Sequence, residues 1–169
     1  MEKNLVLVGM MGVGKSSVGK ILAKSLKIKF VDIDKLIEKK QKMKIRNIFE
    51  LKGEKFFRNE EEIVCKEYLQ KTKSVIALGG GAFMNKNIRS AIFSNSISIW
   101  LDVSIKTLNL RLNKNFKRPL LKQQNNKEIL EKLYDKRKTV YNLAKYKIDC
   151  NKMKINDVVK KIIKIYEKY

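Results

Sequence analysis

Residues 4–8 (NLVLV) form an apolar, β-branched run that passes directly into Gly9-Met10-Met11-Gly12-Val13-Gly14-Lys15-Ser16. From residue 16 to residue 26, Val18, Ile21, Leu22 and Leu26 then recur at the spacing of one helix face. Strand, glycine turn and helix in this order are the setting that the pattern GxxxxGK[ST] requires. In that loop, backbone N–H groups freed by glycine wrap a phosphate, Lys15 reaches its outer oxygens and the Ser16 hydroxyl ligates Mg²⁺. A chain with this opening is directed towards an α/β fold whose ligands sit at the carboxyl ends of the strands.

The rest of the sequence continues the alternation. Apolar runs at 29–33, 74–78 (SVIAL), 96–101 (SISIWL) and 146–150 read as four further strands, with helical stretches between them. Strands apolar on both faces imply a parallel sheet covered on each side, hence one three-layer α/β/α domain over residues 1–169 with a five-stranded parallel sheet. Neither an internal repeat nor a linker interrupts it. Gly9, Asp32, Gly79 and Asp102 all fall at or just past strand ends, so they are expected to share one edge. Helical regions at 46–71 and 126–145 flank that edge, and the polar stretch 113–126 (NKNFKRPLLKQQNN) suits a mobile loop.

Composition removes several alternatives. There is no histidine and only two cysteines, Cys65 and Cys150, which excludes His-based triads and zinc sites and leaves both thiols as packing residues. The longest apolar stretch, 5–13, is far shorter than the ~20 residues of a membrane span, and it opens into Gly14, Lys15 and Ser16 instead of a cleavage site. A cytoplasmic protein without a membrane partner is expected. The net charge of +22 invites a nucleic-acid hypothesis. Its lysines, however, are spread over nearly every helical segment, as compositional drift would place them, so no nucleic-acid partner is expected. Arginine is the rarer cation, at positions 46, 58, 89, 111, 118 and 137 only. Against a lysine background it marks places that need a planar fork for a carboxylate or phosphate.

Further motifs carry chemistry. Asp32 and Asp34 close the second strand, two residues apart and therefore on one side while the chain stays extended. One can hold Mg²⁺ and the other can face an acceptor hydroxyl; alternatively Asp34 caps the helix that follows. Asp102, which ends another apolar strand, competes for the metal role, and the residues alone leave Asp32 and Asp102 as alternatives. A GTPase is disfavoured because each Asn-Lys pair lacks the Asp of NKxD. Gly79-Gly80-Gly81 clears side chains where backbone must approach a ligand or another element. Arg58 has Glu61 at i+3 as a charge partner, and Arg137 stands in RKTVY.

In order and spacing, GMMGVGKSSVG, FVDID, IFELKGEKFFRNEE, IALGGGA, KRPLL and RKTVY resemble the shikimate kinase family, small kinases of the nucleoside monophosphate kinase fold. The resemblance implies transfer of the γ-phosphate of ATP to the 3-hydroxyl of shikimate, with Mg²⁺, on the route to chorismate and the aromatic amino acids. Gly12, Val13, Gly14, Lys15, Ser16 and Ser17 would then bind the ATP phosphates, and Ser16 with Asp32 would hold Mg²⁺. By the same resemblance Asp34 binds the shikimate hydroxyls and accepts the reacting proton, within a helical region at 34–61. Arg58, Arg137 and the Gly80 backbone clamp the shikimate carboxylate. Arg118 is the lid arginine that closes over the phosphates, and Arg111 flanks the adenine. Lys117, beside Arg118, departs from the family's usual acidic or polar residue, and the stretch 150–153 has no clear adenine-loop match.

The competing readings are another small-molecule kinase of this fold, acting on gluconate or a nucleotide, a nucleic-acid-stimulated NTPase, and a non-catalytic ATP-binding module. Intact Lys15, Ser16 and Asp34 oppose the last. A monomer working on small molecules is the expectation.

Overall fold

The computed structural model describes residues 3–71, 73–113 and 126–169. The expected lid at 113–126, with Lys117, Arg118 and Pro119, lies outside the described residues but for the helical backbone of its two end residues.

Five strands, β1 (Asn4–Val8), β2 (Lys29–Asp32), β3 (Ser74–Ala77), β4 (Ser96–Asp102) and β5 (Tyr146–Asp149), form one all-parallel sheet in the order β2-β3-β1-β4-β5. Around it lie α1 (Lys15–Leu26), α2 (Ile33–Gln41), α3 (Ile45–Gln70), α4 (Lys86–Asn95), α5 (Ile105–Asn113), α6 (Asn126–Tyr141) and α7 (Ile155–Tyr166), with a 3₁₀ turn at Ala82–Met84. This is the expected doubly covered parallel sheet. Every residue of β1 and β3 is buried, which is why those runs are continuously apolar instead of alternating. Each fully buried Val, Leu or Ile contributes roughly 1.5–3 kcal/mol.

The register places the centre of chemistry. β1 is flanked by β3 (Leu5↔Val75) and β4 (Leu5↔Ile97), so the loop leaving β1 emerges between the loops leaving its two neighbours. The buried Asn4 side chain ties this corner together. Its Nδ2 donates to Leu69 O (3.1 Å) and Lys71 O (2.7 Å), while its Oδ1 accepts from Ser74 N (2.9 Å), leaving no polar atom of that amide unmatched.

Three expectations need correction. β2 ends at Asp32 instead of continuing to Ile33, because Ile33 already begins α2. The long helix at 46–71 is broken by Gly53, whose φ of 81° and ψ of 167° belong to no helix, so α3 is two helical segments meeting at a kink. The helical region expected at 126–145 also stops at Tyr141, ahead of the turn into β5.

Candidate active site

The phosphate loop follows β1 and closes against β4. A Cβ on Gly9, which has φ of +136°, would lie 2.5 Å from the Leu101 carbonyl oxygen, so only glycine lets the chain turn there. The loop ends at the N-terminus of α1, which no side chain caps and where backbone N–H groups and the helix dipole favour an anion. Lys15, the first residue of α1, is buried, and its Nζ donates to Gly9 O (2.8 Å) and Met10 O (2.9 Å). Beside the loop an open cavity of about 420 Å³ is lined by residues including Gly12, Gly14, Ser17, Arg111, Cys150 and Met153. Arg111 Nη1 donates to Val13 O (3.0 Å), which holds the guanidinium along this cavity. The stretch 150–153, which has no clear match to the family's adenine loop, contributes Cys150 and Met153 to its wall.

Asp32 and Asp34 separate, because the switch from strand to helix at Ile33 ends the two-residue repeat that would keep them together. Asp32 Oδ2 accepts from Ser16 Oγ at 2.6 Å, and its Oδ1 accepts from Lys35 N at 3.3 Å. The capping residue of α2 is therefore Asp32 and not Asp34. Asp34 turns to the glycine triad: a Cβ on Gly79 would lie 2.7 Å from its Oδ1. Asp102 is engaged elsewhere, with Lys147 Nζ at 3.0 Å and the Tyr134 hydroxyl donating to it at 3.1 Å. That neighbourhood pushes the Tyr134 hydroxyl up to about 12, through burial first and the Asp102 charge second.

The triad Gly79-Gly80-Gly81 is where side chains of three helices meet. The same imagined Cβ on Gly79 would lie 2.6 Å from Glu61 Oε1, and one on Gly81 would lie 2.6 Å from Arg58 Nη1. Arg137 Nη1 donates to Gly80 O at 3.2 Å, and the Tyr141 hydroxyl donates to the same carbonyl. Met11 N, in the phosphate loop, would lie 3.2 Å from a Cβ on Gly80. Two guanidinium forks therefore reach adjoining glycines that abut the phosphate loop, with Asp34 beside them.

Arg58 is held from behind. Its Nη1 donates to Glu61 Oε2 at 2.7 Å and its Nε and Nη2 each approach Glu54 Oε1 at 3.2 Å. Glu61 is only 1% exposed, and its carboxyl is pushed up to about 6 by burial, with Arg58 opposing and Asp34 adding to the rise. Sequence reasoning named Glu61 only as a partner for Arg58 and gave Tyr141 no role. The signal for both was present: Glu61 follows Arg58 at i+3, and Tyr141 follows Arg137 at i+4, so each shares a helix face with its arginine.

Known proteins resemble this chain in sequence and fold. The family model described as "Shikimate kinase" matches residues 11–167. A shikimate kinase from a Sulfurihydrogenibium species is 45% identical over 161 residues, covering 95% of this chain and 96% of the relative, and one from Bartonella henselae is 41% identical over 168 residues, covering 99% and 80%. The solved structure of shikimate kinase from Acinetobacter baumannii in complex with shikimate superposes with a TM-score of 0.93 at 34% identity, covering 98% of this chain and 93% of that one. Matched by the family model over nearly its whole length and by relatives at 41–45% identity, this chain belongs to the shikimate kinase family.

Proposed function

We propose that this chain transfers the γ-phosphate of ATP to the 3-hydroxyl of shikimate, giving shikimate 3-phosphate and ADP, with the residues gathered at the carboxyl edge of the sheet in the following roles. The observation that carries the assignment is the convergence of Arg58 and Arg137 on adjoining glycines next to the phosphate loop. Two planar forks suit a carboxylate, which accepts paired hydrogen bonds from each, and neither gluconokinase-like nor nucleotide-kinase-like readings explain them better than an anionic acid acceptor does.

Gly12 to Ser17 bind the phosphates through backbone N–H groups, and Lys15 swings from the loop carbonyls to the β and γ oxygens. Arg58, Arg137 and the Gly80 backbone grip the acid, which sets its hydroxyl beside Asp34. Asp34 orients that hydroxyl and takes its proton as the oxygen attacks. Transfer of a phosphoryl group asks chiefly for alignment and for neutralisation of oxygen charge, and Lys15 provides both. Arg111 flanks the base, and Arg118 is assigned the closing role on family resemblance alone.

Ser16 Oγ and Asp32 Oδ2 are hard oxygen donors 2.6 Å apart at the mouth of the phosphate loop, and they fit Mg²⁺, which takes one or two protein oxygens and completes its shell with phosphate and water. When bound there, the ion neutralises phosphate charge. Asp102 is the weaker candidate, since Lys147 already balances it.

We further infer a cytoplasmic monomer with small-molecule partners only. The scatter of lysine speaks against a nucleic-acid partner, and no helix among the described residues is long and apolar enough to cross a membrane.

The test is ADP release from MgATP with and without shikimate, using Lys15→Met as the blank. Release that requires shikimate and is lost in the variant is the expected result. Release indifferent to shikimate but raised by another acid, a sugar or a polynucleotide would overturn the named acceptor.

A further inference from the structure

The Gly80 carbonyl receives two donors from one helix. Arg137 Nη1 lies 3.2 Å away and the Tyr141 hydroxyl closer still, the two side chains stacked one turn apart on α6. They differ in freedom. Tyr141 is fully buried, its ring is 5.8 Å from that of Trp100, and its hydroxyl also faces Met10 Sδ at 3.8 Å, so it has nowhere else to go. Burial pushes the phenol up to about 12, which keeps it a donor. Arg137 is half-buried on a long, flexible stem.

A carbonyl oxygen offers two lone pairs, and the half-buried Gly80 carbonyl loses free energy when it is left without a donor. We propose that Tyr141 is a positioning residue: by holding the Gly80 carbonyl permanently, it releases the Arg137 guanidinium to turn onto the acceptor's carboxylate. The inference rests on the reading above that Arg137 grips that carboxylate. With the tyrosine in place, Arg137 leaves a carbonyl that is still satisfied. Without the hydroxyl, Arg137 is the remaining donor among the described residues, and each acceptor that binds must strip it away. The same bond holds the Gly80–Gly81 peptide plane, which, being trans, directs the Gly81 N–H away from α6.

The experiment is a double-mutant cycle on Tyr141→Phe and Arg137→Ala, reading KM for shikimate and for ATP. Tyr141→Phe keeps the ring, and Arg137 continues to satisfy the carbonyl, so the variant is expected to fold. Its shikimate KM should rise roughly tenfold, the size of effect expected of one half-buried acceptor losing its partner, while the ATP KM stays within about twofold. In the Arg137→Ala background the same substitution should change shikimate KM by less than about twofold, because no hand-off remains. Trp100→Phe, which disturbs the packing around the ring and spares the hydroxyl, should leave shikimate KM within about twofold of wild type. Full multiplication of the two effects in the double variant overturns the proposal, as does an equal rise in ATP KM or a Trp100→Phe effect as large as that of Tyr141→Phe. An unchanged shikimate KM in Arg137→Ala itself overturns the carboxylate role and the hand-off with it, whereas a large single effect that simply multiplies removes the hand-off alone.

Discussion

Glu61 holds the Arg58 guanidinium at 2.7 Å with one carboxylate oxygen and keeps the other buried, without a hydrogen-bond partner among the described residues. The arginine is thus aimed by a residue that is itself poorly accommodated. Arg58→Ala should raise shikimate KM by at least tenfold and leave ATP KM nearly unchanged, a drop in affinity of about 1.4 kcal/mol or more. It should also destabilise the fold by about 1–3 kcal/mol in urea, since a buried carboxylate loses its counter-charge. Adding Glu61→Gln should recover much of the stability and none of the affinity. Unaltered shikimate affinity in the single variant would remove Arg58 from the carboxylate clamp.

The Glu61 carboxyl gives folding a pH dependence of defined sign. Its ordinary value is 4.5 and the native value about 6, so between these the folded chain binds more protons than the unfolded one. Stability contributed at this site is therefore present at pH 4.5 and falls as pH rises towards 6, by on the order of 2 kcal/mol. Urea midpoints measured from pH 4.5 to pH 7 should show wild type losing stability relative to Glu61→Gln across this window. Parallel profiles would show that Glu61 titrates normally.

On the proposed role of Lys15 at the transferring oxygens, Lys15→Met should reduce turnover at least ~10³-fold. The same change removes two hydrogen bonds to the loop carbonyls, so a loss of about 1–2 kcal/mol in stability should accompany it. Circular dichroism and single-turnover assays separate the two effects. Turnover within tenfold of wild type would exclude the assigned role.

Asp32 both caps α2 and faces Ser16, and substitution can separate those duties. Asp32→Asn keeps an oxygen for Lys35 N, so Tm should fall by no more than about 2 °C. The Mg²⁺ concentration for half-maximal activity should nevertheless rise at least ~10-fold, since a charged oxygen beside Ser16 is lost. Asp102→Asn should change that concentration less than about twofold. The reverse ranking would move the metal to the end of β4.

Gly79→Ala places a methyl group 2.6 Å from Glu61 Oε1 and 2.7 Å from Asp34 Oδ1. Both carboxylates must give way, and kcat/KM should fall more than ~10-fold, with Asp34 displaced from the acceptor. An active alanine variant would show that the triad tolerates a side chain at this point.

What the sequence revealed depended on how local each determinant is. The phosphate-loop motif and the strands were readable because each is written in a few consecutive residues, whereas Arg58 and Arg137 are each a single arginine on a helix, which taken alone is ordinarily a solvated face. The capping role of Asp32 was not, because a strand period predicts shared orientation until the residue at which the helix begins, and that boundary is set by packing of Ile33 into the core. Gly53 gave no warning of the break in α3, since a glycine inside a helical pattern is tolerated as often as it interrupts. Glu61 and Tyr141 needed the fold itself. Helix spacing pairs each with its arginine, but their meeting with Gly79 and Gly80, which lie in the loop after β3, is encoded by no spacing along the chain.

The placement of β1 at the middle of the sheet has a kinetic corollary. Its neighbours, β3 and β4, lie about 70 and about 90 residues further along the chain, so neither side of β1 can be built from a local hairpin. Gly9 takes its shape against Leu101, which belongs to the later of those two strands. The nucleotide loop, though formed by an early segment, can acquire its working shape only after most of the sheet has closed. ATP affinity in a refolding time course should therefore appear with the last phase and not the first, which makes ligand binding a stringent reporter of complete folding in this molecule.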